Sequence, residues 1–242
     1  MPTVSVFYLA YYLSYGVIAL MFAFSAYWAF SIRRVLAVHV YRRQALGIGL
    51  VALSLAVLLL AGFPLAYLNP GGQISSLLLI FTFGTIFYWI DASVLAVRRS
   101  DPLLRYPLRW KQLRIAIWAL DLLAMASILA IEVLTGGNPS GQVVTVVFNL
   151  PFYITILAGV TLLPIVAVRS RDMILRRHLV WFALFASILA LFISVASFVL
   201  SEYVEVLLTS VLGLVLGAYC LYRSSQSLVP LKQKVLNRPG SW

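Results

Sequence analysis

Seven apolar stretches follow one another along the chain, each long enough to cross about 30 Å of hydrocarbon as a helix of roughly 20 residues. They lie near 6–32, 45–68, 74–97, 115–134, 143–168, 179–200 and 204–222. Inside a bilayer no water satisfies a backbone N–H or C=O, so stretches of this kind are restricted to helices. The 242 residues are 63% hydrophobic and 10% charged, too little charge to cover the surface of a soluble domain of this length. The expectation is an all-α integral membrane protein: one transmembrane domain over 1–223, a seven-helix bundle, followed by a short basic tail over 224–242.

The placement of charge sets the orientation. Arg33, Arg34, Arg42 and Arg43 follow the first stretch, and Arg98, Arg99, Arg105, Arg109, Lys111 and Arg114 follow the third. Arg169, Arg171, Arg176 and Arg177 follow the fifth, and Arg223, Lys232, Lys234 and Arg238 follow the seventh. In a seven-span plan all 18 basic residues therefore fall on one side, which the positive-inside rule makes cytoplasmic, with the N-terminus outside and the C-terminus inside. Adding or removing one span would scatter the arginines over both faces. The first stretch has nothing basic before it and an Arg pair after it, the reverse of a secretory signal, so it reads as a retained span. The net charge of +11 then signifies contact with an anionic inner leaflet of the cell membrane, not nucleic-acid binding.

The connections carry an internal repeat. Asn69-Pro70-Gly71-Gly72-Gln73 on the outer side recurs as Asn138-Pro139-Ser140-Gly141-Gln142. On the inner side, Asp101, Leu104, Arg105, Leu108 and Trp110 recur at the same spacing as Asp172, Leu175, Arg176, Leu179 and Trp181. This suggests one leading helix followed by three parallel helix hairpins, the last diverged.

The repeat and the lysines exclude two families. Sugar transporters of the SWEET type share the length and topology but repeat every three helices and carry Pro-Gln motifs, which are absent here. Microbial rhodopsins require a lysine in the seventh helix, whereas Lys111, Lys232 and Lys234 all lie in cytoplasmic segments. The N-out plan and the arginine-studded loops running into the next helix, Arg98 to Arg114 and Arg169 to Trp181, resemble the seven-helix sensor modules of some prokaryotic histidine kinases. That resemblance implies a non-enzymatic, receptor-like module. Only the segment from Arg223 to Trp242 follows the last span, so the expectation is a stand-alone module acting through a separate cytoplasmic or membrane protein.

Two carboxylates fall within the spans. Asp91 precedes Arg98, and Asp121 follows Arg114, each by about two helical turns, so each pair shares a face about 10 Å apart. An ionised carboxylate there is costly, so a neutral form or a partner is expected. The pair serves either a proton-coupled or cation-binding site, which would make the chain a small-solute or ion transporter, or a structural tie between helices. A third reading is an accessory subunit of a larger membrane complex.

Other candidates are weaker in kind. Asn149 and Pro151 mark a helix break, because proline removes a donor and frees carbonyls. The ordinary explanation of Tyr8, Tyr12 and Tyr15 is an outer aromatic belt, and the alternative is that they line an outer pocket with Glu132. The tryptophans, Trp28, Trp89, Trp110, Trp118 and Trp181, read as anchors at the inner interface. Small residues at Thr209, Gly213 and Gly217 suggest close packing of the last two helices on one another. One cysteine and two histidines, His39 and His178, on separate stretches offer no metal or haem site, and no cofactor or catalytic motif is present.

Overall fold

The computed structural model describes residues 2–36, 38–62, 73–100, 172–198 and 203–230, with helical fragments between 112 and 130 and at 167–168. Among these residues every regular element is helical: α1 (Pro2–Val35), α2 (His39–Val57), α3 (Gln73–Ser100), α4 (Met173–Phe198) and α5 (Tyr203–Gln226). Two stretches, Leu13–Val35 and His39–Ala61, are each 23 residues long and apolar enough to cross a membrane. A third, Ile80–Ala96, is apolar but shorter. The remaining expected spans, near 115–134 and 143–168, fall largely outside the described residues.

Local chemistry explains the helix ends. Pro2 opens α1, where a missing N–H costs nothing, and Arg33 and Arg34 in its last turn complement the negative end of the helix dipole. At the end of α2 the chain widens into a π-helical turn, Leu58–Gly62. Asp172 caps α4: its Oδ1 accepts from the amides of Ile174 at 2.9 Å and Leu175 at 3.3 Å. Its other oxygen, Oδ2, accepts the Tyr41 hydroxyl from the start of α2.

The helices pack in the sequence-adjacent pairs α1 on α2, α2 on α3 and α4 on α5, and α5 returns to α1. The α1 face formed by Tyr15, Ile18, Ala19, Phe22, Ala26 and Ala29 is buried, at a helical spacing. The opposite face is just as apolar: Leu13, Val17, Leu20, Phe24 and Tyr27 are exposed. The same holds for Leu53 and Val57 on α2 and Leu60 just beyond it, and for Leu208, Leu212, Leu216 and Tyr219 on α5. Polar residues are instead found inside, among them Ser25, Gln44, Ser54, Thr82, Thr85, Asp91, Ser93, His178 and Ser224. Several satisfy themselves locally: Ser25 and Thr82 donate to the carbonyl one turn back, at 3.0 and 2.9 Å. Ser54 and Thr85 join α2 to α3 through their hydroxyls at 3.1 Å.

Close approach on α5 follows the small residues. A Cβ on Gly213 would lie 2.7 Å from Phe192 on α4, and Gly217 faces Phe185 and Leu189. The small-residue stripe is therefore used within the chain.

Two aromatic expectations are corrected. Trp89 is fully buried in the core and does not sit at an interface, because its indole is clamped by Phe182 and hydrogen-bonded inward. Tyr15 is likewise buried on the packed face of α1 and does not belong to an outer belt.

Candidate functional site

The most concentrated chemistry in the described residues is a polar knot joining four helices. Gln44 comes from α2, Trp89 and Ser93 from one face of α3, His178 from α4 and Ser224 from α5, and Gln44, Trp89, Ser93, His178 and Ser224 are all completely buried. Gln44 Oε1 accepts from the Trp89 indole N–H at 3.0 Å and lies 2.9 Å from His178 Nε2. The Ser93 hydroxyl stands 3.2 Å from the same oxygen and donates at 2.8 Å to the Trp89 carbonyl.

These donors fix the rest of the geometry. An indole N–H can only donate, so the atom facing it must be the amide oxygen, and turning the Gln44 carboxamide over would set two donors against each other. An oxygen that only accepts then requires the hydrogen on His178 Nε2. The neutral ring leaves Nδ1 as an acceptor, and the Ser224 hydroxyl donates to it across 2.8 Å. The Ser224 carbonyl lies 3.2 Å from the same nitrogen, and the His178 carbonyl lies 3.2 Å from the Ser224 hydroxyl. The Ser224 carbonyl also accepts from Ser227 Oγ at 2.6 Å, which turns the chain inward after α5 so that Leu228 is fully buried.

Aromatic packing closes the knot. Trp89 stacks on Phe182, one turn after His178, with ring centroids 3.3 Å apart and planes at 7°. The imidazole sits tilted against the indole at 5.8 Å. Gly47 makes room for this on α2, since a Cβ there would stand 2.8 Å from Trp89 Cδ1. Burial pushes the His178 imidazole down from 6.5 to about 4, while the Ser224 carbonyl acts in the opposite direction. His178 stands one position ahead of the apolar stretch 179–200, Gln44 one position ahead of 45–68, and Ser224 just beyond 204–222. One group of the knot is left over: Gln44 Nε2 is buried and has no hydrogen-bond partner among the described residues.

Next to the knot, Arg223 spreads over the Trp181 ring at 5.4 Å and donates to Gln226 Oε1 at 3.3 Å.

Of the residues singled out in the sequence, Asp91 is buried on α3, half a turn beyond Trp89 and just ahead of Ser93. Arg98 lies two turns further along α3, and its side chain is outside the described residues. Asp121, Arg114, Asn149, Pro151 and Glu132 also lie outside them, as do the side chains of Tyr8 and Tyr12. Tyr15 is buried on the packed face of α1. The knot itself was not anticipated. Its signal in the sequence is one uncharged polar residue at the arginine-flanked boundary of each of three apolar stretches, Gln44, His178 and Ser224, which the neighbouring arginines obscure. No protein-family model, curated protein or solved structure matches the chain.

Proposed function

We propose that the chain is a multi-pass protein of the cell membrane, with seven spans in an N-out, C-in bundle of one leading helix and three hairpins. In this reading it is a non-enzymatic sensor that signals to a protein partner at its basic cytoplasmic face. The apolar outward faces of α1, α2 and α5 and the polar interior support residence in lipid. Placing every basic residue on one side supports the orientation.

The observation that carries the sensor reading is the knot's position. It ties α2, α3, α4 and α5 together within a few residues of Arg42 and Arg43, of Arg98 and Arg99, of Arg176 and Arg177, and of Arg223. A rearrangement of any of these helices is thereby transmitted to the basic segments that a partner would touch. The test is photo-crosslinking in cells from probes placed at 105, 109 and 176. A single protein recovered from all of these sites supports the reading, and recovery of no specific protein overturns it.

Asp91 favours a second reading, a proton-coupled transporter, because a buried carboxylate within an apolar helix is expensive unless used. That reading requires pH-coupled flux in proteoliposomes that Asp91→Asn abolishes.

A further inference from the structure

We infer that His178 is a proton-binding latch: its neutral ring holds the inner end of α5 against α2 and α4, and protonation releases that end. The latch rests on geometry. One imidazole spans three helices, with Nε2 donating to Gln44 on α2 and Nδ1 accepting from Ser224 on α5. Nothing else ties the α5 end to α2 by a side-chain hydrogen bond among the described residues. Gln44 Nε2, a donor buried without a partner among the described residues, leaves the closed knot one acceptor short and lowers the cost of opening it.

A second proton has a place to go. If Nδ1 takes up a proton it donates to the Ser224 carbonyl at 3.2 Å, and the Ser224 hydroxyl turns to the His178 carbonyl, also at 3.2 Å. The hydrogen bonds can therefore be remade, and what the closed state cannot supply is solvation of the charge. Among the described residues no carboxylate hydrogen-bonds to the ring: the knot's own members are an amide, an indole, two hydroxyls and the imidazole. The charged residues nearest in the chain are Arg43 on α2, Asp91 on α3, Arg177 on α4 and Arg223 on α5, with Arg33 and Arg34 at the end of α1. Arg43 and Arg177 are exposed, and Arg223 lies over Trp181 and donates to Gln226. Most of these are positive, and they disfavour a positive charge within the knot.

The direction follows from linkage. The closed state holds the ring neutral down to about 4, whereas a ring exposed by release returns toward 6.5. Closure is therefore fully favoured above 6.5 and weakens as pH falls, by up to tenfold in the opening equilibrium per pH unit, until about 4. Where the chain is a sensor, as proposed above, the proton is its cytoplasmic input. The latch itself does not depend on that reading.

The chain carries its own reporter. Cys220 is its single cysteine, buried on α5 one turn before Ser224. Its reaction with a dithiodipyridine, measured on full-length protein in nanodiscs and divided into the rate for the denatured chain at the same pH, gives a protection factor. Protection is expected to fall up to tenfold per pH unit from 6.5 toward 4 in the native protein. It is expected to be flat in His178→Gln, whose amide can still donate to Gln44 but does not titrate. Ser224→Ala should lower protection at neutral pH, and this arm stands if His178→Gln fails to fold. Protection independent of pH, an equal fall in His178→Gln, or no change in Ser224→Ala overturns the latch. Loss of partner crosslinking with intact pH-dependent protection would remove the sensor reading alone.

Discussion

At the residue scale, Gln44 is the side chain on which the buried polar network depends. Its single carbonyl oxygen faces donors from Trp89, Ser93 and His178, all buried. Replacing it by leucine keeps the volume but strands the indole and imidazole N–H groups away from water, at about 1–3 kcal/mol for each stranded donor. Gln44→Leu should therefore unfold at a clearly lower temperature in detergent, followed by tryptophan fluorescence, with the Trp89 emission altered in the folded state. An unchanged midpoint would mean that the indole and imidazole find other acceptors. Little of this was legible in the sequence. A glutamine behind Arg42-Arg43 looks like interface chemistry, and only the spatial meeting of four helices turns it inward. Trp89 was misplaced for the same reason: an indole near the end of an apolar run suits a headgroup belt, and the site that buries it is made by Gly47 and Phe182 on other helices.

At the element scale, helices were the most legible feature, because their length and continuous apolarity leave no alternative secondary structure in lipid. Their ends were less so: α1 begins at Pro2 and ends at Val35, beyond the apolar stretch at both ends, and α2 starts at His39, well before its apolar run. Polar residues extend a helix past the hydrocarbon wherever a cap or a neighbour accepts them. Asp172 shows how, since one carboxylate caps α4 through Ile174 and Leu175 and also binds Tyr41 on α2. Asp172→Ala should cost about 0.5–2 kcal/mol and speed hydrogen exchange at the first α4 amides, whereas Asp172→Asn, itself a good cap, should retain most of the protection. Equal loss in both variants would assign the effect to the Tyr41 contact.

At the scale of the whole molecule, the one-sided charge and the inside-out distribution of polarity address the same question from different directions. Eighteen basic residues fix which ends of the spans face the cytoplasm only if the number of spans is odd. The exposed apolar faces of α1, α2 and α5 concern the surrounding solvent and say nothing of orientation. Taken together they make a strict prediction for reporter fusions. Alkaline phosphatase, active only after export, should be active when fused after 70 or 138 and inactive when fused after 38, 105, 171 or 230. A fluorescent protein that matures only inside should give the complementary pattern. Activity after 105 or 171 would break the seven-span plan at a particular helix, because each fusion depends on the parity of the spans before it. Moving charge offers the decisive check: replacing Arg33, Arg34, Arg42 and Arg43 by Gln while adding arginines at 69–72 should shift the first hairpin's fusions toward the opposite pattern. If the orientation holds after that exchange, it is set by the later loops, and the leading helix follows the three hairpins instead of directing them.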